Sequence, residues 1–137
     1  MGHAEVWQKG DDVAFIALGS MAHPAFEAAQ ILLREKIYAT VINARFIKPL
    51  DDTLILDVYR RVRVVIVIEE GVVRGGFGGA VLETLASNGC LWKDPRPVKC
   101  LGFPNEFITF DKRASLLERY GLTPLAIADV ARNLLNR

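Results

Sequence analysis

Val64-Val65-Ile66-Val67-Ile68, running on into Glu69-Glu70-Gly71-Val72-Val73-Arg74-Gly75-Gly76-Phe77-Gly78, is the stretch on which the fold turns. Five consecutive β-branched residues with no polar member read as a central strand covered on both faces. The glycine-rich turn then leads into a helix from about Phe77 to Ser87, closed by Asn88-Gly89 as a left-handed cap. The same grammar holds upstream. Val13 to Leu18 is a second buried strand ended by Gly19-Ser20, and from His23-Pro24 the apolar positions Ala25, Ala28, Ala29, Leu32 and Leu33 recur at helical spacing. Tyr38 to Ala44 is the next strand. Pro49 biases Lys48 away from helical geometry, and Asp51 caps a helix over Asp52 to Val62. Downstream, the proline-bearing loop Lys93 to Pro97 precedes a strand over Val98 to Leu101. A helix over Lys112 to Tyr120 ends at Gly121, and Thr123-Pro124 opens the last helix, Leu125 to Leu135.

Strands and helices that take turns imply a parallel sheet sandwiched by helices, an α/β/α arrangement with right-handed crossovers. The 137 residues fit one domain spanning 1–137, without repeats, low-complexity tracts or an interdomain linker. A hydrophobic share of 51% rules out global disorder, and a net charge of +1 gives no electrostatic footprint for nucleic acid or an anionic membrane. The longest apolar runs fall far short of the roughly 20 residues that span a bilayer, and a signal-peptide core is missing, so a cytoplasmic location is expected. Cys90 and Cys100 form no Cys-x-x-Cys pair and read as free thiols of a reducing compartment.

Several apparent chemical motifs dissolve on inspection. Gly75-Gly76-Phe77-Gly78-Gly79 invites comparison with phosphate loops, yet a dinucleotide fingerprint starting at Gly76 needs glycine or alanine where Val81 stands, and no lysine followed by Ser or Thr closes a P-loop. Missing side chains in this turn instead let it lie against another backbone, within the domain or across an interface. Gly10-Asp11-Asp12 with Asn43 faintly resembles a magnesium-diphosphate signature, but the second glycine is absent and Asp11-Asp12 reads as a turn. Glu69 and Glu70 are adjacent on an extended chain and point to opposite faces, which suits salt bridging or an interface better than an acid and base pair. His3 and His23 have no nucleophile beside them and read as solvated or capping residues. Trp7 and Trp92 are either interface anchors or packing residues of an edge strand and a loop.

Asn43-Ala44-Arg45-Phe46-Ile47-Lys48-Pro49-Leu50-Asp51, together with the stretch from Glu69 to Gly78, resembles the C-terminal domain of the transketolase family, and within it the deoxyxylulose phosphate synthases. The resemblance runs from about Ala4 to Leu135. Gly102-Phe103-Pro104-Asn105-Glu106-Phe107 and Tyr120-Gly121-Leu122-Thr123 are similar to the synthase pattern, and Thr109-Phe110-Asp111 departs from it where synthases tend to have histidine and glycine. Beta subunits of 2-oxoacid dehydrogenases share an element like Pro49-Leu50-Asp51 but usually place threonine where Phe46 stands.

The resemblance implies five strands, with Glu5 to Gln8 antiparallel at one edge and Val13 to Leu18 between Tyr38 to Ala44 and Val64 to Ile68. It also implies a parent enzyme that condenses pyruvate with glyceraldehyde 3-phosphate, using thiamine diphosphate and Mg2+ held by its other domains. This chain would then carry no catalytic, cofactor-binding or metal-binding residue. Its partners would be the N-terminal and middle domains of the same enzyme, in a homodimer.

Candidate interface residues are Arg45, Glu69, Glu70, Val72, Val73, Gly75 and Gly76. Val72 and Val73 are expected in a turn that polar residues normally occupy, and the free amides at the helix start need a partner. A core role for the two valines is the competing reading. Arg45 is expected to pair with one of the glutamates or with a carbonyl near Gly19. The other readings are the matching domain of a dehydrogenase beta subunit or transketolase, and an independent nucleotide-binding or regulatory module.

Overall fold

The buried run at the centre of the chain forms an interior strand, one place from the middle of the sheet. In the computed structural model, residues 3–45, 49–72, 76–103 and 113–136 are described, apart from the side chains of Val72 and Arg113. Strand β2 (Val13–Ala17) is fully buried and lies between β3 (Ala39–Asn43) and β4 (Val64–Val72), parallel to both. Val13 stands level with Ala39 on one side and Val64 on the other, and Ala17 with Asn43 and Ile68. With β1 (Glu5–Gln8) antiparallel to β3 and β5 (Val98–Phe103) parallel to β4, the sheet order is β1-β3-β2-β4-β5. This is the order and the antiparallel edge that the resemblance implied.

Alternation along the strands decides which helices go where. Val13, Phe15, Ala17, Val41, Ile66 and Ile68 face the layer of α1 (Ala22–Leu33) and α6 (Pro124–Leu135). Ala14, Ile16, Ile42, Val65 and Val67 face the layer of α2 (Asp52–Arg61) and α3 (Phe77–Ser87). Ala22, Ala25, Ala28 and Ala29 give α1 a face of small buried residues that lets a neighbouring helix approach closely. Both expected caps are present: the Asp51 side chain accepts from the Leu54 amide and that of Thr123 from the Ala126 amide, with Pro124 in the first turn.

Three local differences have physical causes. Strand β4 continues past Ile68 to Val72, which pairs with Phe103 after a register irregularity, so Val72 belongs to the sheet and not to a turn. Gly89, at φ 77°, ends one helix and starts another, the short α4 (Cys90–Lys93), where a loop was expected; Trp92 is consequently displayed on α4 with 67% of its surface exposed. A bulge between Val6 and Gln8 re-aims Trp7 onto α1, 5.1 Å from the His23 ring and 6.3 Å from Phe26. The remaining helix, α5 (Arg113–Arg119), ends before Gly121, whose φ of 72° suits glycine. Phe46, Lys48, Val73, Gly75 and the segment 104–112, which includes Thr109-Phe110-Asp111, lie outside the described residues.

Candidate functional site

In an open parallel sheet the carboxyl ends of the strands are where ligands and partners collect. Here β2 ends in Gly19 (φ 60°) and Ser20, β3 in Asn43-Ala44-Arg45, and β4 in Glu69-Glu70 and the residues after them. Backbone bonds knit the edge, with the Leu18 amide donating to the Ile68 carbonyl at 3.0 Å and the Ala44 amide to the Ala17 carbonyl at 2.8 Å. Arg45 is exposed and sits in the left-handed region at φ 63°, its amide donating to Asn43 Oδ1 at 3.2 Å. The Ser20 hydroxyl donates to Glu70 Oε1 at 2.9 Å. Arg45 and Glu70 each engage a further partner.

Glu69 behaves differently from its neighbour. It is 5% exposed, and its two carboxylate oxygens accept the first amides of α3, Phe77 at 2.8 Å and Gly78 at 3.0 Å. The N-cap residue Gly76 has no side chain to offer and the first turn of α3 holds no acidic residue, so Glu69 supplies both the acceptors and the negative charge that a helix start favours. The Phe77 and Gly78 amides therefore find their partner inside the domain, which removes one of the two reasons for expecting an interface there. A clue was present in the sequence: a helix without a capping side chain, preceded by a carboxylate at the end of a buried strand.

Gly78 is explained by packing. A Cβ there would stand 2.9 Å from Cys100 Sγ and 3.1 Å from Cys100 Cβ, so the missing side chain brings α3 onto β5. Burial, then the nearby Glu69 charge, pushes the Cys100 thiol upward against a smaller opposing effect of Lys99, which suits an inert structural cysteine.

The magnesium-diphosphate resemblance fails geometrically. Gly10 and Asp12 precede β2 at the amino edge, whereas Asn43 ends β3 at the carboxyl edge. Gly10 lies against backbone, since a Cβ there would be 2.4 Å from the Tyr38 carbonyl carbon, and Asp12 Oδ2 accepts the Tyr38 amide at 2.8 Å. These residues do not fit thiamine diphosphate and its metal. Nor, among the described residues, does any group of three or more His, Cys, Asp or Glu suit a metal ion, and no helix is long and apolar enough to cross a membrane. His3 is 86% exposed, 3.9 Å from the Asp51 carboxylate, and His23 is exposed over Trp7. A cleft of about 430 Å³ opens between Pro49, Leu50 and Asp52 on one side and Ala80, Glu83 and Thr84 of α3 on the other, with the Thr84 hydroxyl donating to Asp52 Oδ1 at 3.1 Å.

The sequence profile of the family described as "Transketolase, C-terminal domain" matches residues 2–127. The chain belongs to the transketolase C-terminal domain family. Within that family it is 47% identical over its whole length to a 1-deoxy-D-xylulose-5-phosphate synthase of Symbiobacterium thermophilum, covering 20% of that protein. To the synthase of Gloeobacter violaceus it is 44% identical over 99% of its length, covering 21%. The chain thus spans about a fifth of the curated relatives it matches. Among solved structures, a protein described as "Split gene transketolase, inactive beta4 tetramer" superimposes with a TM-score of 0.87 at 35% identity, over 98% of this chain and 43% of that one. A transketolase C-terminal domain is the α/β architecture found here.

Proposed function

We propose that the chain is the C-terminal assembly domain of a 1-deoxy-D-xylulose-5-phosphate synthase, and that its work is packing and dimerisation. Identity of 44–47% to two synthases across the whole chain carries the reading. The carboxyl edge supports it: Glu69 satisfies the helix start that would otherwise attract an anion, while Arg45, Ser20 and Glu70 present polar groups at the surface. On this reading Arg45, Glu70, Val72, Val73, Gly75 and Gly76 face another domain or subunit, and Glu69 shapes that face from beneath. The parent enzyme condenses pyruvate with glyceraldehyde 3-phosphate in the cytoplasm, with thiamine diphosphate and magnesium held by its N-terminal and middle domains.

A subunit of a divided transketolase is the second reading, favoured by the 35% identity to the split-gene protein. Sequencing the coding region around the chain separates the two. The synthase reading expects a Gly-Asp-Gly…Asn signature in the same polypeptide and deoxyxylulose phosphate formation by the full-length product. A signature confined to a separate subunit overturns it.

A further inference from the structure

Strand β1 is half exposed and lies at the edge of the sheet, so burial alone holds it weakly. Side-chain clips compensate at both ends. Near its end, Gln8 Nε2 donates to the Ala39 carbonyl at 3.0 Å, and Gln8 Oε1 accepts from Gln30 of α1 at 2.7 Å. At its start the clip is Asp51, 47 positions away: Oδ2 accepts the Ala4 amide at 2.9 Å, while Oδ1 of the same carboxylate accepts the Leu54 amide at 3.3 Å as the cap of α2. Asp51 is part-buried, with 17% of its side chain exposed, and His3 Nδ1 stands 3.9 Å from Oδ2.

We propose that Asp51 couples the chain leading into β1 to the start of α2, so that displacing either loosens the other. One carboxylate serves two backbone donors on different elements, and each bond restrains the rotamer that the other requires. Asp52, the next residue, lines the cleft between α2 and α3, so a pull on the segment before Glu5 reaches that wall through a single side chain. This inference goes beyond the assembly role and does not depend on which enzyme the domain serves.

Native-state amide exchange on the 137-residue chain tests it with two variants. Ala4→Pro removes the donor on the β1 side and leaves Asp51 untouched; coupling predicts that the Leu54 amide then exchanges several-fold faster. Asp51→Ser keeps a good cap for α2 but is too short to reach Ala4, so the Ala4 amide should exchange about tenfold faster, the factor expected for a hydrogen bond to a charged acceptor. Unchanged protection of β2 and β4 amides confirms that each variant remains folded. If Leu54 exchange is unaltered in Ala4→Pro, or Ala4 exchange is unaltered in Asp51→Ser, the coupling is overturned.

Discussion

Removing the Glu69 carboxylate leaves two amides of α3 buried without an acceptor, so Glu69→Ala is expected to cost about 3 kcal/mol of stability by denaturant titration. Glu69→Gln keeps one acceptor and loses the charge, and should cost roughly half as much. The glycines that follow offer a sharper contrast. Alanine at Gly79 meets nothing within 4 Å, so Gly79→Ala should stabilise by up to about 1 kcal/mol through helix propensity. At Gly78 the same gain is outweighed by the contact with Cys100, worth about 1–3 kcal/mol, and a net loss is expected. Cys100→Ala should relieve part of that loss, giving a non-additive pair. Equal effects at Gly78 and Gly79 would contradict the close packing of α3 on β5. None of this distinction is visible in the sequence, where the two glycines look alike; Glu69 was visible as a carboxylate but not as a cap, because its partners lie eight and nine positions away.

At the scale of elements, α1 and α6 are stapled at their ends by Arg132. Its Nε and Nη2 donate to Glu35 Oε1 and Oε2, each at 2.7 Å, and Nη1 donates to Asp129. The hydrogen bond from Arg132, aided by its charge and opposed by slight burial, holds the Glu35 carboxyl below its usual range. A carboxyl whose folded pKa is depressed stabilises above its unfolded value, and that contribution disappears as pH falls through the folded one. Glu35→Gln should therefore be slightly less stable than the parent near neutrality and equal to it below the carboxylate range; a difference that persists in acid would contradict the staple.

On the other face, the Tyr59 hydroxyl donates to the Asp94 carbonyl at 2.7 Å and accepts the Arg96 amide at 3.0 Å, while Arg96 Nη1 donates to the Tyr59 carbonyl at 2.7 Å. Tyr59→Phe should cost about 1 kcal/mol by the same titration, since a part-buried amide and a carbonyl lose their partner. Elements with strong periodicity and explicit caps, such as α2 behind Asp51 and α6 behind Thr123-Pro124, were legible from sequence. The four-residue α4 was not, because one turn of helix carries no periodic signal, and the extension of β4 to Val72 depends on pairing with Phe103 that only tertiary structure supplies.

For the whole molecule, alternating hydrophobic runs sufficed to indicate a parallel α/β/α sandwich, but strand order did not follow from them. The antiparallel edge and the central place of β2 came from family resemblance, since a four-residue half-exposed strand such as β1 has little signal of its own. On the proposed function this domain contributes assembly and leaves cofactor chemistry to the rest of a longer enzyme. Calorimetric titration of the folded chain with thiamine diphosphate and magnesium tests it most directly. No saturable heat is expected, because Gly10 and Asp12 are engaged at one end of the sheet and Asn43 stands at the other. Saturable binding in the micromolar range would contradict it.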